Sequence, residues 1–368
     1  MDKVPSYNTI EGWTRKCGLD DIKHAPEVLE DKEYAIVTDE CMMIGSEKLL
    51  PIIAVPAEHQ GQPIQPNDVK VIGLNVKQGW TAETVNAAIK DNVATVGKAP
   101  KYIITDNDVK MRKAVKLSGH VWHRDISHTL AMFMERTYKN DADFMDFNER
   151  VARCKKQFCM KEVAYLQSPS QRVKARFMNL SDCVAWADSM LQAFYRLQPY
   201  EQEVFSFIPM CASFIDELKE MVSCIHHVET EMKHRGLCKV TIAECRHHVS
   251  MTVMRGNYRM QMVGRQILDY LKEEENQLDE NEVVNNSSDI IESMFGMFKY
   301  MQSPNKLNGV TTLVLHLPVM LALKESPDSK NYNVNVRLMR TRMKDITLWR
   351  DENLSKNLVT KRINTLRA

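Results

Sequence analysis

The spacing of apolar residues changes period twice along the chain. In PSYNTIEGWTRKCG (5–18), Ile10 and Trp13 lie three apart on one face, Ser6 stands at the cap and Gly18 can close the turn, which predicts one short helix. Nothing upstream completes a three-helix unit, so this is either the recognition helix of a truncated helix-turn-helix or a packing helix. From Tyr34 the pattern becomes extended. YAIVTDE (34–40), LLPIIAVPA (49–57) and VKVIGLNV (69–76) predict three consecutive antiparallel strands between Gly, Pro, Asn and Asp. A helix follows over 81–93 behind a Thr cap, then a strand KYIITD (101–106), a helix over 108–119 ending at Gly119, a strand HVWHRD (120–125) and a helix over 126–138.

Beyond residue 138 strand-like runs nearly vanish, and segments such as FIDELKEMVSCIHHVETEMKH repeat apolar residues at helical spacing. The expected organisation is an N-terminal helical segment (1–30), a first α/β part (31–138), an all-α insertion (139–286), a second α/β part (287–325) and a basic C-terminal segment (326–368). The acidic stretch 273–289 is expected to be a solvated loop, with helices over 289–302 and 309–324 after it.

Composition narrows the function classes. Among 368 residues, Lys+Arg number 49 against Asp+Glu 48, so bulk positive charge is excluded as a source of nucleic-acid affinity. No apolar run reaches the ~18 residues of a membrane span, and the first 30 residues lack a signal-peptide core. An intracellular protein is expected, in the nucleus or in the cytoplasm and nucleoid, with its nine cysteines as free thiols. Twenty-three Met against 13 Gly and 13 Pro points to a helix-rich chain.

The candidate chemistry is carboxylate chemistry. Asp39 ends the first strand and Asp106 the fourth, each delivered by a β-branched apolar run. Strands in the order three, then β-α-β-α, match an RNase H-like α/β sheet, where those two strands are neighbours and their carboxylates can share Mg²⁺ or Mn²⁺. Each Asp read singly also suits the start of a turn, and Asp108 is an alternative ligand. A third carboxylate, Glu292, sits on the helix after the acidic stretch, beside the apolar stripe Ile291, Met294, Phe295 and Phe298, with Lys299 two turns on along the same side. Asp289 and Glu292 also have capping-box spacing.

This ordered set, Asp39, Asp106 and Glu292 with Lys299, resembles the catalytic core of the DDE transposases, the RNase H-like family of insertion-sequence and cut-and-paste enzymes. Asp125 and His128 in HRDISH resemble the D-x-x-H pattern of members with a helical insertion. The resemblance covers about residues 31–139 and 287–325. Where some bacterial subgroups carry Tyr and Arg before the Glu, this chain has Asn285 and Ser288. The resemblance implies two-metal phosphoryl transfer, with Asp39, Asp106 and Glu292 holding two Mg²⁺ or Mn²⁺ ions while water, then a DNA 3′-hydroxyl, attacks a strand. It also implies double-stranded DNA partners (transposon ends and target) and a homodimer or larger assembly on them. The alternatives are an RNase H-like nuclease without strand transfer and a domesticated, non-catalytic DNA-binding protein.

Other residues carry two readings each. Asp125 and His128 are either auxiliary active-site groups or a helix cap and a packed histidine; His123 reads as structural. Arg172, Lys174 and Arg176, and Arg337, Arg340 and Lys344, are candidate DNA-phosphate contacts, as is Lys299, or else ordinary solvated faces. Trp80 and Trp349 are candidates for stacking on an unpaired base or for packing. Cys224, His227, Cys238, Cys245 and His248 have ligand types that suit zinc, but their spacings match no common zinc pair, so no zinc is assigned.

Overall fold

The structure is a computed structural model and describes residues 4–39, 42–44, 47–158, 162–170, 177, 180–301, 309–323, 332–355 and 358–367. It is a mixed α/β protein in two compact units, one formed by residues 1–125 with 283–368 and the other by 126–282.

The first unit is built on one six-stranded sheet. The strands are β1 (Tyr34–Thr38), β2 (Met42–Ile44), β3 (Glu47–Pro56), β4 (Lys70–Lys77), β5 (Tyr102–Thr105) and β6 (Val121–Arg124). β3 runs antiparallel to β4 along one edge and to β1 and β2 along the other; Lys48 and Leu49 pair with both β2 and β4, which forces those two onto opposite edges. β5 lies parallel to β1, and β6 parallel to β5. The strands therefore cross the sheet in the order β4, β3, β1, β5, β6, with β2 prolonging the β1 edge. The three-residue β2 escapes sequence reading because no alternation can be recognised over so short a run.

Both faces of the sheet are covered, which is why β1 is buried along its whole length rather than alternating. On one face Ile36, Leu50, Ile52, Ala54, Ile72 and Ile103 pack against α2 (Ala25–Leu29), α3 (Ala82–Val96) and α4 (Val109–Ser118). Burying each such Ile or Leu is worth about 1.5–3 kcal/mol. Thr81 caps α3 through the amide of Thr84, and left-handed Gly97 and Gly119 end α3 and α4. The opposite face presents Ala35, Val37, Tyr102, Ile104 and His123, all buried.

Ser6 caps α1 (Tyr7–Lys23) by accepting from Thr9, but the helix does not stop at Gly18. Gly18 lies inside it, and a Cβ there would fall on the Leu315 carbonyl oxygen. The glycine serves close helix packing rather than chain reversal. At the end of α1, Asp21 accepts hydrogen bonds from Tyr332 (2.5 Å) and Arg337 (2.6 Å), and Thr341 donates to Asp20 (3.2 Å). α1 is thus a packing helix of this unit. The unit is completed by α13 (Asp289–Lys299), α14 (His316–Leu323), α15 (Val334–Arg340), α16 (Met343–Asn353) and α17 (Leu358–Arg367).

The second unit has only helices among its described residues: α5 (Ile126–Tyr138), α6 (Ala142–Phe158), α7 (Leu180–Ala193), α8 (Pro199–Val204), α9 (Phe207–Met210), α10 (Ala212–Arg235), α11 (Lys239–Met251) and α12 (Tyr258–Glu275), with short 3₁₀ turns. Its polar centre is Glu217, which accepts from Tyr138 (2.6 Å), Asn257 (2.7 Å) and Arg259 (2.6 Å). Arg259 also reaches Asp141 and Asp143, tying α6, α10 and α12 together. Burial and the neighbouring carboxylate push the Tyr138 phenol up, so it stays a donor.

The acidic stretch 273–289 is a solvated loop only in its middle, where 279–281 are exposed; buried residues stand towards both of its ends. Glu274 is fully buried at the end of α12, and Asn285, Asn286 and Ser288 are buried in the sheet unit. Asn285 donates to the Pro56 carbonyl at 3.0 Å, and its amide N–H donates to the Tyr102 hydroxyl at 2.9 Å. Composition missed this because the partners lie far away in sequence. No helix among the described residues is long and apolar enough to cross a membrane.

Candidate functional site

Strand register brings three aspartates to one level. Val37 pairs with Ile104 and Thr105 with Arg124, so Asp39 and Asp106 each come two positions after one pair, Asp106 and Asp125 each one position after the other, just past the carboxyl ends of β1, β5 and β6. Adjacent strands lie about 4.8 Å apart, and alternation turns all three residues to the face away from α3 and α4. The Asp125 amide donates to the Thr105 carbonyl at 2.9 Å, which carries the ladder one step past β6. Asp39 is 6% exposed and Asp125 fully buried.

Each carboxylate has local work. Asp106 accepts the Asp108 N–H at 3.1 Å through one oxygen, an Asx turn that fixes its direction. Asp108 caps α4 by accepting the Lys110 N–H at 2.7 Å. That cap gives Asp108 a structural role, while Asp106 directly follows β5 as Asp39 follows β1. Asp125 accepts from both the amide N–H (2.6 Å) and the hydroxyl (2.8 Å) of Ser288.

Ser288 is the cap residue of α13, whose buried stripe is Ile290, Ile291, Met294, Phe295 and Phe298. Glu292 is exposed four residues, about 6 Å, along this helix from Ser288, and Lys299 is exposed at its last position. The helix begins at Asp289, so the Asp289 and Glu292 pair does not fall on capping-box positions. Among the described residues no set of three or more His, Cys, Asp or Glu side chains is gathered as around a metal ion. Asp39 and Asp106 thus follow two paired strands, while Glu292 is exposed on α13 and does not join them in a three-carboxylate group among the described residues.

The other predicted residues fall as follows. His128 is on the first turn of α5, half-buried, and His123 packs edge-on against Tyr102 at 5.0 Å. Arg172, Lys174 and Arg176 lie outside the described residues. Arg337 is held by Asp21 and stacks on Tyr332 with 3.8 Å to the ring centre, an internal brace rather than an exposed cation. Arg340 and Lys344 are exposed. Trp80 is buried in the core and donates to the Lys48 carbonyl at 3.1 Å, so it presents no ring to a base; Trp349 is half-buried. In the helical unit His227 and His248 stack at 3.8 Å, Cys224 accepts from Thr252, and Cys238 lies against Thr241.

One group was missed by sequence reading. The guanidinium carbons of Arg112 and Arg124 lie 5.8 and 5.9 Å from the ring centre of Trp122, whose indole N–H donates to Thr105 at 2.9 Å. This couples two cations and an aromatic face to the residue before Asp106. The only local signal is Trp122 and Arg124 two apart on one strand face; Arg112 comes from α4 and joins them only on folding.

No family model and no curated protein matches this chain.

Proposed function

We propose that the chain is a DDE-type polynucleotidyl transferase, a transposase that cleaves DNA strands with water and joins them through a 3′-hydroxyl. The observation that carries this reading is the parallel pairing of β1 with β5, after whose carboxyl ends Asp39 and Asp106 directly follow. A strand order of β4, β3, β1, β5, β6, with β1 to β4 antiparallel and β5 and β6 parallel to β1, supports an RNase H-like core. A helical unit between two segments of the sheet unit supports the reading of an insertion.

The donor chemistry fits a hard divalent cation at Asp39 and Asp106, and Glu292 on α13 is the third carboxylate of the proposed set. Among the described residues the three carboxylates are not gathered into one group in this structure. Mg²⁺ or Mn²⁺ held there supplies Lewis acidity to the scissile phosphate and to the attacking oxygen. The chain's own part is to aim the carboxylates: the Asx turn fixes Asp106, and burial at the strand end fixes Asp39. Arg112, Arg124, Lys299, Arg340 and Lys344 are the described cations proposed to meet the backbone of double-stranded DNA.

The test is strand transfer. Supplied with pre-cleaved donor ends, target DNA and Mg²⁺ or Mn²⁺, the protein is expected to give joined product. Cleavage without joining assigns an RNase H-like nuclease instead. The second reading is a non-catalytic DNA-binding protein; DNA binding with neither cleavage nor joining selects it.

A further inference from the structure

We infer that Asp125 is a positioning residue: its carboxylate clasps Ser288 and so sets where α13, the helix that carries Glu292, starts relative to the sheet. The inference rests on the reading above and deepens it. Asp125 is fully buried and follows β6 level with Asp106, so it looks by register like a third metal ligand. Its geometry assigns it otherwise. One oxygen, Oδ2, accepts two hydrogen bonds from Ser288, from the N–H at 2.6 Å and from the hydroxyl at 2.8 Å, across 163 residues of sequence. Hydrogen bonds to a charged acceptor are roughly twice as strong as neutral ones. A carboxylate beside the first amide of a helix also faces the positive end of its dipole.

The clasp joins the two sequence segments of the sheet unit. Asp125 is the last residue of the first segment, and Ser288 lies six positions into the second, which starts at Val283. Three residues earlier, Asn285 is tied to Tyr102 and Pro56, so the returning chain is fastened both there and at the end of β6. Those two fastenings fix both the height and the direction of the α13 start. Glu292 follows one helical turn later. Ser288 stands where some bacterial subgroups of the resembling family carry an arginine, and here it is the hydroxyl partner of Asp125.

The test uses the full chain and the variants Asp125→Asn, Ser288→Ala and Ser288→Thr. Two measurements are made besides strand cleavage: amide hydrogen exchange over 289–299, and Mn²⁺ binding to the metal-free protein by calorimetry. Asp125→Asn and Ser288→Ala are expected to speed exchange in the first turn of α13 about tenfold or more, with α3 and α4 unchanged. They are expected to weaken Mn²⁺ binding severalfold, and Ser288→Thr, which keeps the hydroxyl, is expected to restore both. Cleavage should fall in kcat with little change in KM for DNA. Unchanged exchange and Mn²⁺ affinity in Asp125→Asn overturn the clasp while leaving the functional reading intact. Exchange that rises equally in α3 and α4 marks a general structural role and also overturns it. If the wild type neither binds Mn²⁺ nor cleaves DNA, the functional reading falls, and with it any site for the clasp to serve.

Discussion

In the helical unit the buried carboxylate of Glu217 meets the guanidinium of Arg259, an amide and a phenol, while in the sheet unit the buried carboxylate of Asp125 meets the hydroxyl and amide of Ser288. The first arrangement pairs its charge within a helix bundle and joins three helices. The second sits in a row, because parallel strands in register end together and deliver Asp39, Asp106 and Asp125 at one level. Like charges at strand spacing repel, so such a row is costly unless hydrogen bonds or cations hold it. The difference separates a carboxylate whose charge is paired by a guanidinium from one held by hydrogen bonds from Ser288.

The sharpest way to break that comparison is to remove charge from each centre in turn. Asp39→Asn or Asp106→Asn is expected to cut metal-dependent strand cleavage roughly a thousandfold, the equivalent of several kcal/mol, while the melting temperature holds or rises. Glu217→Ala is expected to do the reverse: unfolding free energy falls by about 3–5 kcal/mol as Arg259 loses its buried partner, and DNA affinity per folded molecule is unchanged. Calorimetry and a cleavage assay on all three variants check both. A thermal loss in Asp39→Asn as large as that in Glu217→Ala, with cleavage kept, would make the aspartate row structural.

How far this contrast was legible in the sequence follows from the range of the interactions. Apart from the three-residue β2, the strands and helices from Tyr34 to Tyr138 announce themselves because each is set by its own apolar period and by caps such as Thr81 and Asp108. Asp39 and Asp106 were visible as strand-end carboxylates for the same local reason. The continuation of α1 past Gly18 was not, because the Leu315 backbone that requires a glycine lies about three hundred residues away. Ser288 was equally opaque; locally it is a polar residue in a polar stretch, and only folding places it on Asp125. Arg337 misled because a cation at helical spacing gives no hint that Asp21 will claim it.

A smaller effect tests the helical unit alone. Burial, with Glu231 and Glu244 nearby, pushes the Cys245 thiol from 9.0 up to about 12. A group whose pKa is raised on folding contributes stability that is fully present below its unfolded value and lost above it. The loss therefore falls between pH 9 and pH 12. At pH 10.5 it amounts to about 2 kcal/mol from this thiol. Urea unfolding at pH 8 and pH 10.5 should show the fall, and Cys245→Ala should remove that share of it.

The smallest expected effect bears on the sheet unit again, on the cations around Trp122, which lie on the sheet face opposite the aspartates. Arg112 is exposed, stacks on Trp122 and projects from the first turn of α4, just past the Asx turn that fixes Asp106. A contact from it to a DNA phosphate would position the duplex without reading its sequence. Arg112→Ala should therefore weaken binding severalfold on any duplex and lower the slope of log K against log salt by about one. Its stability cost should stay within about 0.5 kcal/mol, because an exposed stacking contact contributes little to folding. If the salt slope is unchanged while the unfolding free energy drops, the arginine serves the Trp122 stack, and the cationic edge of the sheet unit belongs to packing, as the Glu217 centre does in the helical unit.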